Sequence, residues 1–178
     1  MSLPFLYPNG CGPDTAAAAT ITLPANGGSI AIPFVMPGGL LTIPSVSVRT
    51  LDTTGTHTLE MVLYADGGED GPAGRMQGSF NSFTYTASAA ANRTAQLATP
   101  VNLSGTGCYW LLVRNASTVT TALAGFAAAA LGVNIGGTAT LAQSLAAGSI
   151  LAATWAGTAS IPLVRLNGGI FAMGGATL

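Results

Sequence analysis

The chain has 178 residues, enough for one domain with a sizeable core, but only 6% of them are charged, against about a quarter in ordinary soluble domains. It has no lysine, and five arginines against six acids give a net charge of −1, so it lacks the basic surface that nucleic-acid binding needs. Because surface charge protects monomers from self-association, we expect copies of this chain to cover one another in an assembly.

The first 37 residues are predicted to form an extended arm, and residues 38–178 to form the main domain. Prolines at positions 4 and 8 oppose a helix in this arm. Its start lacks the basic and continuous apolar parts of a signal peptide, so secretion by that route is not expected. Apolar side chains at a chain end are usually tied down against another surface. The candidate anchor residues are Leu3, Phe5, Leu6 and Tyr7.

The second half of the arm carries a turn signal and a strand. Residues 25–29, ANGGS, predict a hairpin turn before a strand over residues 30–36. Pro33 cannot donate a backbone hydrogen bond and therefore favours an edge position for this strand. The PGG of residues 37–39 predicts a break between the arm and the main domain.

Alternating apolar residues predict two further strands that each bury one face. In residues 40–51, Val46 and Val48 would point into the core. The outward row of the same strand would be Ser45, Ser47 and Arg49. In residues 56–64, the inward row is Leu59, Met61 and Leu63, and the opposite row is mostly polar.

Residues 107–115, GCYWLLVRN, predict a strand that is apolar on both faces. Such a strand needs cover from both sides, so we expect it in the centre of a sheet. Residues 150–155 and 161–166 predict closing strands, and the glycine-punctuated tail beyond them offers three candidate docking residues: Ile170, Phe171 and Met173. With about eight to ten short strands separated by turn signals, the sequence predicts an antiparallel β-sandwich.

Four motifs between residues 40 and 166 carry a resemblance to a known family: LYADGG, the PAG that follows it, TAQLATPVNLSG and CYWLLV. Together they resemble the jelly-roll β-sandwich domains of bacteriophage tail fibres, head fibres and other virion surface proteins. The resemblance implies a jelly-roll-like fold and a structural fibre, spike or decoration subunit, without enzymatic activity or a cofactor. It further implies a homo-oligomer such as a trimer, bound to other virion proteins in a particle assembled in the host cytoplasm, with loops that present host-recognition residues.

The loop after residue 65 contains three carboxylates within five residues, which could supply oxygen ligands to Ca²⁺. These acids are Asp66, Glu69 and Asp70, and their spacing does not match the EF-hand pattern. A solvated loop without a metal is the commoner reading of such a cluster. If the chain contacts a receptor or a cell-surface glycan, this loop and Tyr64 are the predicted contact residues.

His57 is the only histidine, and no nucleophile accompanies it in a catalytic spacing. We predict that it makes a structural hydrogen bond at a strand end, and strand alternation does not bring Asp52 or Glu60 into a catalytic pair with it. Cys11 and Cys108 are too few for a zinc site; they are either one disulfide or, as a reducing compartment favours, two free thiols.

A carbohydrate-binding module, a hydrolase and a membrane protein are alternatives to a virion subunit. The hydrolase is disfavoured because no nucleophile, base and orienting group can be assembled around His57 with any spacing rule. A carbohydrate-binding adhesin module would use the acidic loop and aromatic side chains to contact a glycan. A membrane protein would need a span of about 20 apolar residues, but the best candidate, residues 121–137, is broken by glycines and an asparagine. Three segments match the N-glycosylation acceptor pattern, Asn92-Arg-Thr, Asn102-Leu-Ser and Asn115-Ala-Ser. They carry little weight without a secretion signal.

Overall fold

The computed structural model describes residues 5–6, 19–65, 76–127, 142–145, 156–158 and 160–167. These residues contain no helix, and every pairing between their strands is antiparallel, which confirms the predicted all-β class. The strands are β1 (Phe5–Leu6), β2 (Ala19–Leu23), β3 (Ser29–Thr50), β4 (Thr56–Ala65), β5 (Met76–Thr86), β6 (Ala91–Asn115), β7 (Thr121–Ala127), β8 (Ala142–Leu145), β9 (Ala156–Thr158), β10 (Ser160–Pro162) and β11 (Val164–Asn167).

Two long strands, β3 and β6, form the ribbon to which several other strands attach. They pair from Ser29 opposite Arg114 to the far end of β3, with two shifts of register. A straight strand of 22 residues would extend about 70 Å, yet apolar residues from both halves of β3 lie in one core cluster. The ribbon therefore bends, and the register shifts at residues 37–40 and 43–45 provide the bulges at which strands turn corners.

The strands form two layers that pack on this common core, as expected for a β-sandwich. In one layer, β4 pairs with the second half of β6, and β5 pairs with β4. The second half of β3 pairs instead with β11, which also pairs with β1. Strand β7 pairs with β2 and β10 and reaches the end of β3 at Thr50.

The two strongest strand predictions are confirmed. In β4, Leu59, Met61 and Leu63 are fully buried and alternate with partly exposed residues. Residues 107–115 of β6 lie between β3 and β4. Neighbouring residues of this segment enter two different apolar clusters, which shows that both of its faces are covered: Leu111 and Val113 in the main core, Trp110 and Leu112 in a smaller one.

Predictions for the start of the chain need correction. Residues 25–27 form a turn, but it does not close a hairpin, because β2 pairs with β7 whereas β3 pairs with β6. Strand β3 runs through the predicted break at residues 37–39, since an antiparallel pair accommodates extra residues as a bulge. Leu23, Ile30 and Ile32 lie in the main core, so the described part of the predicted arm after residue 18 belongs to the sandwich.

The predicted outward row of β3 is also covered in part. Val46 and Val48 are fully buried as expected, but Ser45 and Ser47 are buried too. The Nδ2 atom of Asn167 on β11 donates hydrogen bonds to Ser45 Oγ at 3.0 Å and to Ser47 Oγ at 2.8 Å. The serines lose contact with water because a polar side chain of the neighbouring strand lies across them.

Asn115, at the end of β6, holds three chain segments together and has no exposed surface. Its Nδ2 donates to the backbone oxygens of Leu23, Pro24 and Val119 at 3.2, 3.1 and 2.8 Å. Its Oδ1 accepts from the backbone N–H of Ser117 at 3.0 Å. A side chain buried in this way is inaccessible to glycosylation in the folded chain. The asparagine of the Asn115-Ala-Ser pattern therefore has a structural role in these hydrogen bonds.

We expect Asn115→Asp to lower the free energy of unfolding by roughly 3 kcal/mol or more, because a carboxylate cannot donate and would face three carbonyl oxygens. Chemical denaturation measures this loss. Asn102→Asp is the matched control: Asn102 is exposed and its Oδ1 accepts from Thr42 Oγ1 at 2.7 Å, a bond that a carboxylate retains. Equal losses in the two variants would contradict the role of Asn115.

Candidate functional site

The predicted acidic contact loop lies outside the residues that the structure describes, and the Ca²⁺ and receptor hypotheses for Asp66, Glu69 and Asp70 stay predictions. Tyr64, the second-last residue of β4, is only 4% exposed. It packs in the smaller apolar cluster with Ala31, Trp110 and Leu112, and burial raises the pKa of its hydroxyl. Its ring is therefore a core element in this chain rather than part of an exposed surface.

The predicted anchor residues are described only at Phe5 and Leu6, which form β1 and pair with Asn167 and Leu166 of β11. The start of the arm thus lies against its own chain at this point. The other predicted anchors, Leu3, Tyr7, Ile170, Phe171 and Met173, lie outside the described residues, as does Cys11. Cys108 is paired through its backbone with Val35 in the β3–β6 ribbon.

A cluster of buried polar groups lies where the turn after β3 meets the beginning of β4 and of β7. His57 of β4 is 3% exposed, and its Nε2 donates to the backbone oxygen of Thr54 at 2.9 Å. Its Nδ1 lies 3.0 Å from Thr121 Oγ1. Because a carbonyl oxygen only accepts, Nε2 carries a proton, and in the neutral ring Nδ1 accepts from the Thr121 hydroxyl. Both ring nitrogens are engaged, which confirms the predicted structural hydrogen bond.

Asp52 joins the same cluster from the turn that precedes β4. Its Oδ1 accepts from the backbone N–H of Ala122 at 2.9 Å, and its Oδ2 accepts from the Tyr85 hydroxyl at 2.8 Å. The Tyr85 ring stacks on His57 with 5.3 Å between ring centroids. Burial raises the pKa of the Tyr85 hydroxyl. The hydrogen bond to Asp52 and the negative charge of that carboxylate raise this pKa further. The Asp52 carboxylate thus connects the turn to two strands, β5 and β7.

A cavity of about 380 Å³ lies beside this cluster. It is lined by Leu51, Asp52, Thr53, Thr54, Gly55, His57, Val119 and Thr120. The lining contains no serine or cysteine, and the only imidazole is held on both nitrogens by Thr54 and Thr121. A general base needs a nitrogen that can reach a substrate proton. The arrangement is suited to ordering the turn, and it does not supply the roles of a catalytic triad.

The sequence pattern does not predict that Asp52 lies close to His57. Strand alternation does not describe Asp52, because this residue lies in a turn. Gly55, with a φ of +90°, reverses the chain there and brings the Oδ2 atom of Asp52 to 3.9 Å from His57 Nδ1. The prediction is correct for Glu60, which lies on the other face of β4 and forms an ion pair of 2.6 Å with Arg114. The sequence does carry a signal for this turn, because the polar residues 52–55 end in a glycine.

Comparisons with known proteins do not assign a function to this site. No protein-family model, curated protein or solved structure matches the chain. Within the described ranges, no three side chains of the histidine, cysteine or acidic types come together in a way that could hold a metal ion. The same ranges include no helix that is long and apolar enough to cross a membrane.

The raised pKa of Tyr85 predicts a loss of stability at high pH. A group with a raised pKa in the folded state stabilises fully below its unfolded pKa, about 10 for tyrosine, and this contribution is lost as the pH rises further. We therefore expect the free energy of unfolding to fall above about pH 10 and to fall less steeply in Tyr85→Phe.

Denaturant titrations at several pH values between neutral and alkaline conditions check this expectation. Tyr64→Phe is the comparison, because it removes a phenol whose pKa is raised by burial alone. A Tyr85→Phe variant whose pH dependence matches that of the original chain would show that the contact with Asp52 does not control the titration.

Proposed function

We propose that this chain is a non-enzymatic structural subunit that assembles with copies of itself, of the kind found at the surface of a bacteriophage-like particle. The observation that carries the self-assembly is a sheet edge, β5, whose outer side pairs with no other described strand. Strand β5 has 11 residues without a charged residue or a proline, and among the described strands it is hydrogen-bonded to β4 alone. Monomeric proteins normally protect such edges with charges, prolines or cover, because free backbone groups invite pairing with another chain.

The described surface also supports pairing through strands rather than through a large apolar patch. Among the residues whose side-chain exposure the structure describes, Leu40 and Val119 are the exposed large apolar ones, at 40% and 43%. The rest of that surface is mostly threonine, serine, alanine, asparagine and glutamine. A surface with few charges has little electrostatic repulsion between copies, so edge pairing meets little opposition.

The placement in a virion rests on the resemblance of the loop and strand motifs to phage fibre and decoration domains. A β-sandwich with long paired strands is compatible with such a mechanical role. The absence of a catalytic role is supported by His57, whose two nitrogens are bound within the chain. In this proposal other virion proteins hold the subunit, and the loops between strands face outward.

The carbohydrate-binding alternative receives less support from the described aromatic side chains. Sugar recognition commonly uses an exposed aromatic face, but Tyr64 and Trp110 are 4% and 6% exposed. A glycan array distinguishes the two functions, because a purely structural subunit should bind no glycan above background.

Native mass spectrometry at micromolar concentration tests the self-assembly. We expect the original chain to be a homo-oligomer and Ser82→Lys, in the exposed part of β5, to shift it toward smaller species, because a charged edge residue opposes strand pairing. Ala89→Lys places the same charge in the exposed turn after β5 and should leave the oligomer unchanged. A monodisperse monomer of the original chain would overturn the proposal.

A further inference from the structure

The second half of β5 has one apolar row and one polar row, like a strand inside a sheet. Phe83 and Tyr85 face the main core, and their ring centroids lie 6.0 Å apart. Ser82, Thr84 and Thr86 alternate with them and are exposed. The Thr84 hydroxyl lies 2.8 Å from the Thr58 hydroxyl of β4. This part of β5 therefore keeps the regular alternation that a further neighbouring strand requires.

The backbone of β5 is paired on one side. Its register pairs join it to β4, and no described strand lies along its other side. A strand presents N–H and C=O groups to both sides in alternation, so the outer side of β5 offers a row of such groups. Complete overlap of two strands of 11 residues makes about ten main-chain hydrogen bonds, which is the number in a typical protein interface.

The other open edges of the described sheet fit β5 less well. Four strands that pair on one side are short, since β1, β2, β9 and β10 have two to five residues. The ribbon has two longer stretches that pair on one side only, residues 32–44 of β3 and 91–108 of β6. Prolines interrupt both stretches, and Arg93 adds a charge to the second. Prolines and charges oppose edge pairing, so the edge that matches β5 in length and composition is β5 of another copy.

We propose that β5 pairs in antiparallel fashion with β5 of a second copy, around a two-fold axis perpendicular to the sheet. Complete overlap of the two strands places this axis beside Asn81, the middle residue of Met76–Thr86. Both copies contribute the same strand, so the contact is isologous and makes a dimer the unit of assembly. The inference rests on the proposed self-assembly and names the surface that each copy contributes.

Burial and charge both favour this arrangement. A two-fold axis perpendicular to the sheet keeps the buried rows of the two copies, such as Leu59 and Tyr85, on the same side of one continuous sheet. Around such an axis a residue lies close to its own copy, so a charged residue there would face the same charge. Strand β5 contains no charged residue. Glu60, the acid of the neighbouring β4, forms an ion pair of 2.6 Å with Arg114.

Two charge variants of one exposed residue test the two-fold contact. Ser82 is next to the proposed axis, so it lies diagonally across from its own copy, with about 7–8 Å between their bases. We expect Ser82→Lys and Ser82→Glu each to raise the dissociation constant by about threefold or more, because like charges meet. In an equimolar mixture of the two variants, opposite charges meet, and the mixed dimer should exceed the half that random exchange gives. Native mass spectrometry with one variant isotopically labelled measures these fractions.

The matched control is a mixture of Ala89→Lys and Ala89→Glu, which carry the same charges in the exposed turn after β5, away from the axis. Its mixed species should form in the random proportion. If the original chain is an oligomer and the Ser82 mixture is also random, or the oligomer is a trimer, the β5 contact is wrong and the self-assembly stands. If the original chain is monomeric at all concentrations, the proposed function fails, and the contact fails with it.

Discussion

The hydrogen-bonded pairing of β3 with β6 is the constraint on which the rest of the structure depends. Each strand exceeds twenty residues, so the ribbon they form is too long for a compact domain unless it bends. The bends coincide with Pro37, Gly38, Gly39 and Pro44, residues that weaken a regular ladder and are tolerated at bulges. Once the ribbon is bent, its two halves enclose one core, and the shorter strands attach where its edges are left open.

The ends of the sandwich are held by buried polar groups whose hydrogen bonds are made within the chain. Asn115 connects the turns around Pro24 and Val119, and Asp52 connects the turn before β4 to Tyr85 and to the start of β7. Buried amides and carboxylates are costly unless their partners are in place, so each cluster favours one arrangement of its turns. The only histidine, His57, belongs to the second of these networks through its hydrogen bonds to Thr54 and Thr121.

The low number of charged residues affects how the molecule can associate with other molecules. A sheet edge such as β5, without charge or proline, is open to backbone pairing. The few charges that exist are unevenly distributed along the sequence, since three of the six acids lie within residues 66–70. The proposed self-assembly rests on the uncharged edge strand and on the low overall charge.

The sequence by itself determined the all-β class, the inward row of β4 and the double cover of the end of β6, because side-chain periodicity of two is a local property of each strand. Only the tertiary structure decided that β3 passes through the PGG signal, that Ser45 and Ser47 are covered by Asn167, and that Asp52 meets His57. These outcomes depend on which strand lies beside which and on how a turn reverses the chain. Such contacts join residues far apart in sequence or outside any strand, and no local pattern encodes them.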